Sequence, residues 1–215
     1  MIPLFHDFTG ETVLVVGGGA VGARKARRFA REARVVVVSP AFRAEDFGGA
    51  ERVRAAVDPD SAAAWLDRTD PALVVAATDD PAVNEALAAA ASDRGILVNR
   101  TDRSGGRDAD SVVVPATVRD DPVVAALSTG GHSPALSRYL REEIEPTLEN
   151  AGAMAELTGS IRGDLKERGV PPGDRRDAVR AVVRSREVWT SVDRGSSNAR
   201  QTAADVIAPI TGETT

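Results

Sequence analysis

The spacing most suggestive of chemistry is a run of glycines in which Gly17, Gly19 and Gly22 match the pattern G-x-G-x-x-G. In dinucleotide-binding loops the first glycine permits a tight turn, the second lets a pyrophosphate approach the backbone, and the third lets a helix pack closely on a strand. The helix that follows directs free N–H groups toward the phosphates. The run comes after an apolar segment and opens a helical pattern, which favours this function over a purely structural turn. We therefore predict a cofactor site formed by Gly17, Gly18, Gly19, Ala20, Val21 and Gly22.

The residues after the second apolar run bear on the choice of dinucleotide. At this point an acid usually binds the ribose 2′-hydroxyl of NAD, whereas an arginine nearby accommodates the 2′-phosphate of NADP. This chain has Ser39, Pro40 and Ala41 in place of an acid, and Arg43 is the nearest cation. We assign Ser39, Pro40 and Ala41 to the cofactor site, and the residues alone leave the choice between NAD and NADP open.

Asp102 is the carboxylate with the most suggestive position. It follows the apolar run that closes at Asn99, and Thr78 follows the preceding run. Ligands of open parallel sheets bind outside the carboxyl ends of the strands, so we assign Thr78 and Asn99 to the cofactor site. A carboxylate beside a nicotinamide can take up a proton as hydride leaves the substrate, which makes Asp102 a candidate catalytic residue. The alternative for Asp102 is an aspartate in a loop turn.

A second cluster combines hydroxyl groups and glycines immediately before a helical pattern. Ser133 is a suitable N-cap and Pro134 suits the first helical position. Because a helix N-terminus attracts anions, this segment predicts a site for the carboxylates or phosphates of a second ligand. The alternative is a hairpin end followed by an ordinary helix cap. The predicted substrate-binding residues are Ser128, Thr129, Gly130, Gly131, His132 and Ser133.

Alternating strand and helix patterns position these groups. Residues 12–16 and 34–38 are continuous apolar runs of the kind that buried strands need. The pattern between them predicts a helix at 23–30, with Val21, Ala26, Phe29 and Ala30 facing inward. The alternation predicts an α/β fold with a Rossmann-type, doubly wound parallel sheet. The remaining predicted elements of this sheet are strands at 52–57, 71–77 and 96–98 and helices at 62–66 and 81–94.

The pattern changes after Asp102. A polar loop covers residues 103–110, and two apolar runs at 111–114 and 122–127 without a helix between them indicate a small β-hairpin. Helical patterns follow at 134–148, 153–168, 175–192 and 199–210. We predict three parts: a dinucleotide-binding domain at 1–111, a segment of hairpin and helix at 112–148, and a helical C-terminal domain at 149–215.

Composition excludes several classes of site. The chain has no cysteine, which rules out disulfides, zinc–thiolate sites, iron–sulfur clusters and cysteine nucleophiles, and its two histidines argue against a built metal site. A net charge of −5 argues against nucleic-acid binding. No apolar run is long enough to cross a bilayer and no secretory signal is visible, so we expect no membrane association and a cytoplasmic location.

Taken together, these motifs resemble the dehydrogenase module of siroheme synthases: the precorrin-2 dehydrogenases, some of which are also sirohydrochlorin ferrochelatases. The resemblance extends from Pro3 to about Glu145. Its motifs, in order, are Pro3-Leu4-Phe5, Val15–Val21 with Arg24-Lys25, Ala76–Asp80 with Asn84, Asn99–Asp102, Val114-Pro115-Ala116, Ser128–Pro134 and Leu140-Arg141-Glu142.

The resemblance implies NAD as the oxidant and precorrin-2, a polycarboxylate tetrapyrrole, as the substrate. It also implies a homodimer, interlocked through the hairpin and helix after Asp102. Asp102 matches the family's catalytic aspartate, the general base for the proton lost during hydride transfer, and a proton acceptor from a pyrrole nitrogen if iron is inserted. Thr129 matches the family's hydroxyl beside the tetrapyrrole. Nearby arginines would suit a polycarboxylate: Arg100, Arg103, Arg138 and Arg141.

The chain departs from the family pattern at three places, and two other functions compete. The loop from Arg103 to Ser111 is longer than is typical, Val112 stands where an aromatic is common, and His132 replaces a residue that is often threonine.

One competing function is a non-enzymatic, NAD-sensing regulatory domain, which would normally keep an acid after the second strand. The other is a ferrochelatase without an oxidant role, which the intact glycine loop disfavours.

Overall fold

The computed structural model describes residues 2–103, 111–195 and 198–212. The chain divides into two compact units. The first comprises Met1–Val114 with Gly130–His132, and the second comprises Pro115–Thr129 with Ser133–Thr215. Apart from Arg103, the predicted polar loop after Asp102 lies outside the described residues.

The first unit contains a five-stranded parallel sheet with helices. The strands are β1 (Thr12–Val16), β2 (Arg34–Ser39), β3 (Glu51–Arg54), β4 (Leu73–Ala76) and β5 (Leu97–Arg100), and the helices are α1 (Ala20–Phe29), α2 (Ala62–Thr69) and α3 (Pro81–Ser92). The spatial order is β3-β2-β1-β4-β5, so the chain builds outward from β1 in one direction and then in the other. Ligands of such sheets bind at the point where the strand order reverses. The predicted Rossmann-type fold is confirmed.

The strands consist of continuous apolar runs because both faces of the sheet are covered. Val13 and Val15 of β1 pack with α1 on one face, whereas Leu14 and Val16 pack with α2 and α3 on the other. All four side chains are at most 1% exposed. Val21 does not face the core as predicted. It is 37% exposed, whereas the next two residues of α1, Gly22 and Ala23, are buried, so Val21 lies on another side of the helix.

The second unit contains a two-stranded antiparallel sheet and a set of helices. Its elements are β6 (Ala116–Asp120), β7 (Val123–Leu127), α4 (Pro134–Ile144), a short 3-10 helix (Glu145–Leu148), α5 (Ala151–Glu167), α6 (Pro172–Arg184), α7 (Arg186–Asp193) and α8 (Ala199–Thr211). Helices α5–α8 surround their own apolar core, in which Leu165, Val182 and Val188 are fully buried.

The hairpin forms, but the prediction of its first strand at 111–114 is wrong. The partner of β7 is β6, which starts at Ala116. Residues near 111 associate with β5 of the parallel sheet instead. Ser111 makes an isolated parallel bridge with Val98, and the Val112 amide donates to the Val98 carbonyl at 2.8 Å. Short apolar runs do not identify their own pairing partner, which explains the error.

The single helix predicted at 175–192 is also wrong, because the chain forms α6 and α7 with a break at Ser185. This residue has extended backbone angles, and its hydroxyl accepts a hydrogen bond from the Val188 amide at 3.3 Å, so it caps the start of α7. A serine inside a helical pattern is compatible with either an uninterrupted helix or a cap.

The described residues contain neither a helix that could span a membrane nor a group of side chains that could hold a metal ion. No helix among residues 2–103, 111–195 and 198–212 is long and apolar enough to cross a membrane. In the same ranges no three histidine, aspartate or glutamate side chains are grouped in a way that could hold a metal ion.

Candidate functional site

A cleft of about 670 Å³ opens at the carboxyl ends of β1, β2, β4 and β5 in the first unit. Cofactor and small-molecule sites generally have volumes of roughly 300–1,000 Å³. The walls of the cleft come from the glycine loop, from the segments after β2 and β4, and from Thr101 and Asp102 after β5. The cleft therefore lies at the position that the parallel topology favours for a ligand.

The three glycines of the motif have different surroundings. Gly17 has a φ of +125°, and a Cβ there would lie 2.3 Å from the Ala77 carbonyl oxygen. A Cβ on Gly22 would lie 1.9 Å from the Gly17 oxygen, so this glycine lets α1 pack against the loop. Around Gly19 a Cβ would meet nothing within 4 Å. Gly19 is also the N-cap of α1, and no side chain caps the helix. An anion can therefore approach the helix N-terminus over Gly19.

Gly18 contacts the segment after β2, a role that the motif itself does not specify. A Cβ on Gly18 would lie 2.3 Å from the Ala41 carbonyl oxygen and 2.8 Å from the Ser39 hydroxyl. The Ser39 hydroxyl donates to the Ala41 carbonyl at 2.7 Å, and the Arg43 amide donates to the Gly18 carbonyl at 3.0 Å. These contacts fix the segment that follows β2 against the glycine loop. Both Ser39 and Arg43 line the cleft.

Thr78 lies in the opposite wall, where Asn84 holds it in place. Asn84 is only 1% exposed, and its Oδ1 lies 2.8 Å from the Thr78 hydroxyl, which donates to it. The Asn84 amide nitrogen in turn donates to the Thr78 carbonyl at 3.1 Å. Asp80 caps α3 by accepting from the Ala82 amide at 2.8 Å. This wall of the cleft is thus a hydrogen-bonded turn between β4 and α3.

Asp102 lines the cleft and forms a two-point ion pair with Arg100. Arg100 donates from Nε to Oδ1 at 3.1 Å and from Nη2 to Oδ2 at 2.7 Å. The Arg100 side chain is 9% exposed and that of Asp102 is 25% exposed, so the guanidinium is covered while the carboxylate stays partly open to the cleft. Arg100 also contacts Glu85, which pairs with Arg103 at 2.8 Å. Arg100 is the last residue of β5 and Asp102 lies in the bend that follows, which brings the two side chains together.

This ion pair controls the charge of Asp102. The hydrogen bonds from Arg100 hold the pKa of Asp102 below its ordinary value, burial acts in the opposite direction, and a hydrogen bond from Asn84 lowers it further. The same contacts raise the pKa of Arg100. Asp102 is therefore an anion at neutral pH. Neither Arg100 nor Asn84 was predicted from the sequence as a partner of Asp102. The closeness of Arg100 to Asp102 in the sequence could have indicated the ion pair, whereas nothing local indicated Asn84.

The predicted cofactor residues do not all line the cleft. Those that do are Gly17, Gly18, Gly19, Ala20, Val21, Ser39, Pro40 and Thr78. Gly22 and Ala41 do not line the cleft and instead contact the glycine loop, Gly22 at Gly17 and Ala41 at Gly18. Asn99 is 5% exposed, its side-chain amide donates to the Val112 carbonyl at 2.7 Å, and its Oδ1 has no partner within residues 2–103, 111–195 and 198–212. Asn99 thus anchors the segment that contains Val112 to β5 rather than lining the cleft.

The predicted substrate segment is a tight turn before α4. Thr129 accepts from the Ser133 amide at 3.2 Å and lies 3.0 Å from the Ser137 hydroxyl. Ser133 caps α4 by accepting from the Leu136 amide at 3.2 Å, so the predicted N-cap is confirmed. Two glycines with positive φ complete the turn, and His132 is exposed.

The arginines suggested as partners for a polycarboxylate all pair with acids of this chain. Arg100 and Arg103 pair with Glu85, as described above. On α4, Arg138 pairs with Glu142 at 3.0 Å and Arg141 with Glu145 at 2.8 Å. A polycarboxylate ligand would have to compete with these internal partners.

Comparisons with known proteins agree with the fold. Residues 4–116 match the family model described as "Putative NAD(P)-binding". A solved structure titled "SirC, precorrin-2 dehydrogenase" superposes with a TM-score of 0.71 over 97% of this chain and 100% of that chain, at 23% identity, which supports the overall architecture.

Among curated proteins, the precorrin-2 dehydrogenase of Methanosarcina barkeri is 30% identical over 96% of this chain and 93% of its own length. The siroheme synthase of Pseudomonas paraeruginosa is 38% identical over 77% of this chain and 35% of its own length. Siroheme synthase 1 of Aeromonas salmonicida is 34% identical over 98% of this chain and 45% of its own length. The chain thus spans less than half the length of these two siroheme synthases. The matches confirm the family resemblance drawn from the motifs.

Proposed function

The chain belongs to the precorrin-2 dehydrogenase family of NAD(P)-binding proteins, and we propose that it oxidises precorrin-2 to sirohydrochlorin with NAD as the hydride acceptor. The observation that carries this proposal is that Asp102 lies in the same cleft as the glycine loop. A dinucleotide bound on that loop and an anionic carboxylate at the end of β5 are the two components that removal of a hydride and a proton requires.

The residues of the cleft fit a dinucleotide. The open space over Gly19 and the uncapped start of α1 suit the pyrophosphate, while Ser39 and Pro40 line the wall that would receive the adenosine ribose. Thr78 lines the opposite wall. Bound NAD would supply the acceptor for the hydride.

Asp102 would act on the substrate. As hydride leaves a ring carbon, positive charge develops on the macrocycle, and the Asp102 anion stabilises that charge. The Asp102 carboxylate then accepts the proton released from the neighbouring atom. The substrate thus loses a hydride, which carries two electrons and one proton, to the dinucleotide and a second proton to Asp102. Arg100 keeps Asp102 ionised and oriented until that point.

We assign the carboxylates of precorrin-2 to the segment Ser128–Ser133. Its backbone turns through two glycines with positive φ directly before the α4 N-terminus, where N–H groups and the helix dipole attract anions. Thr129 is the hydroxyl that we place beside the tetrapyrrole. A Gly130→Ala change would strain this turn, since Gly130 has a φ of +65°, and we expect it to raise KM for precorrin-2 while leaving NAD binding unchanged.

We further propose that the chain acts as a homodimer through residues 112–148. Helix α4 has no buried residue, and two of its large apolar side chains are well exposed: Leu136 at 46% and Tyr139 at 55%. Apolar side chains exposed together on one helix are typical of an interaction surface. A double Leu136→Glu, Tyr139→Glu variant should therefore run as a monomer in light scattering after size exclusion, whereas the unaltered chain should run as a dimer. A monomeric unaltered chain would contradict this assignment.

Anaerobic incubation with precorrin-2 and NAD tests the function directly. We expect NADH and the sirohydrochlorin spectrum to appear together, and Asp102→Ala to abolish turnover while NAD still binds. If neither NAD nor NADP supports turnover, the proposed function is wrong, and full activity of Asp102→Ala would show that another residue is the base.

A purely NAD-sensing domain is not favoured, because it would have no use for the Ser128–Ser133 segment. Adding ferrous ion to sirohydrochlorin without nucleotide tests ferrochelation separately.

A further inference from the structure

Within the part of the chain that the structure describes, the wall of the cleft at the end of β2 carries a positive charge and no negative one. Among the residues that line the cleft, Ser39 ends β2, Pro40 and Arg43 follow it, and Ala56 and Val57 follow β3. The three acids of the lining, Asp79, Asp80 and Asp102, all follow β4 or β5. The cleft is thus divided by charge, with its cation on the side where the topology places the adenosine half of a dinucleotide.

The backbone of Arg43 is fixed, while its guanidinium is available. Its amide donates to the Gly18 carbonyl at 3.0 Å, which ties the residue to the phosphate-binding loop. Its side chain makes no ion pair or side-chain hydrogen bond within residues 2–103, 111–195 and 198–212. Four other arginines near the proposed functional segments are already paired with acids, as described above. Arg43 is therefore a cation of this cleft that can bind an external anion.

Ser39 cannot replace the missing acid. Its one hydroxyl proton is donated to the Ala41 carbonyl at 2.7 Å, so toward a ligand the Ser39 oxygen can only accept. It can accept from a ribose 2′-hydroxyl but offers nothing to a 2′-phosphate, which is itself an acceptor. A neutral acceptor also lacks the charge that would repel such a phosphate. The wall thus tolerates a 2′-hydroxyl, and the Arg43 guanidinium favours a 2′-phosphate.

We propose that this cleft binds 2′-phosphorylated dinucleotides as well as NAD, with the Arg43 guanidinium donating to the 2′-phosphate of NADP. The proposal rests on the proposed function and deepens it: NADP serves as a second hydride acceptor for the same substrate. Arginine suits this role because its planar array of donors matches a phosphate.

Direct binding of NAD and of NADP to the chain by titration calorimetry tests the proposal without any tetrapyrrole. The informative variant is Arg43→Gln, and the matched control is Arg31→Gln, which removes the same charge from an exposed residue outside the cleft. Loss of a charge-assisted contact to phosphate should weaken NADP binding about tenfold or more in Arg43→Gln, and NAD binding much less. Arg31→Gln should bind both dinucleotides like the unaltered chain.

The possible outcomes separate this proposal from the proposed function. If NAD binds and supports turnover but NADP does not bind, the Arg43 proposal is overturned and the function stands. If Arg43→Gln weakens both dinucleotides equally, Arg43 contacts the shared pyrophosphate and the proposal is again wrong. If neither dinucleotide binds to the unaltered chain, the proposed function itself fails. Binding of NADP should also decrease more steeply with added salt than binding of NAD, because it includes an extra charge pair.

Discussion

Replacing Arg100 with glutamine tests how the site controls the charge of its candidate base. The substitution removes both hydrogen bonds to Asp102 and the contact with Glu85, while leaving a polar side chain of similar length. Glutamine cannot neutralise the carboxylate. Two results should follow: a loss of stability, and a change in the pH range over which the enzyme works.

The expected loss of stability follows from how far the pair is covered. Exposed ion pairs contribute up to about 1 kcal/mol, whereas removing one partner of a buried pair costs about 3–5 kcal/mol. Arg100 is 9% and Asp102 is 25% exposed, which places this pair between the two cases. We therefore expect Arg100→Gln to lower the free energy of unfolding at neutral pH by about 2 kcal/mol. The Glu85 contact adds little, because Glu85 is 57% exposed.

The sign of the pH effect follows from the direction of the pKa shift. Asp102 has a lowered pKa in the folded chain, so its ion pair contributes stability above the pKa of the unfolded state and loses it as pH falls through the folded value. In Arg100→Gln the folded pKa rises, and burial, no longer opposed by Arg100, pushes it in the same direction. If turnover needs the Asp102 anion, the acidic limb of kcat/KM should move to higher pH in the variant.

The assay is the pH profile of precorrin-2 oxidation, together with urea unfolding at two pH values. Glu85→Gln is the matched control, because it removes the second partner of Arg100 but keeps the pair with Asp102. We expect its acidic limb to stay in place. An unchanged limb in Arg100→Gln would refute the claim that Arg100 controls the ionisation of Asp102. A stability loss well below 1 kcal/mol would show that the pair behaves like a surface pair.

Three further predictions concern the loop, its support and the helical unit. Gly22→Ala should lower the melting temperature, because its Cβ would lie 1.9 Å from a carbonyl oxygen and overpacking costs about 1–3 kcal/mol. A Cβ on Gly19 meets nothing within 4 Å, so Gly19→Ala should fold normally but bind NAD more weakly in calorimetry. Asn84→Ala should cost about 1–3 kcal/mol in urea unfolding, because it removes a buried amide and its hydrogen bonds to the hydroxyl and carbonyl of Thr78; a neutral change would contradict the network. Ser185→Ala should cost about 1 kcal/mol by removing the cap of α7, and no loss would mean that the hydroxyl does not cap it.

Much of the first unit could be predicted because its signals are local. Continuous apolar runs indicated strands covered on both faces, and the glycine spacing placed the turn between β1 and α1. The first hairpin strand could not be placed, because Ser111 and Val112 pair with β5 through contacts that depend on the folded sheet. The break at Ser185 was missed for a different reason: its hydroxyl caps a helix only once the preceding turn has left the helical conformation.

The site itself was predictable in outline but not in its electrostatics. Gly18 was included as part of the motif, although its need to be glycine comes from Ser39 and Ala41, which are distant in sequence. Asn99 was predicted as a cofactor residue because it closes a strand, yet its side chain turns toward Val112 and away from the cleft lining. Strand ends identify the correct edge of the sheet, whereas side-chain direction depends on what packs beside each strand.

The pairing of Asp102 with Arg100 limits what this carboxylate does in the proposed reaction. A general base works best when its pKa lies near the working pH, and Arg100 moves the pKa of Asp102 the other way. A permanently charged carboxylate is better suited to stabilise positive charge as hydride leaves than to retain the proton afterwards. Because Asp102 lines an open cleft, it can pass that proton to solvent at once. The tight pair with Arg100 thus favours rapid release of the proton and restores the anion for the next turnover.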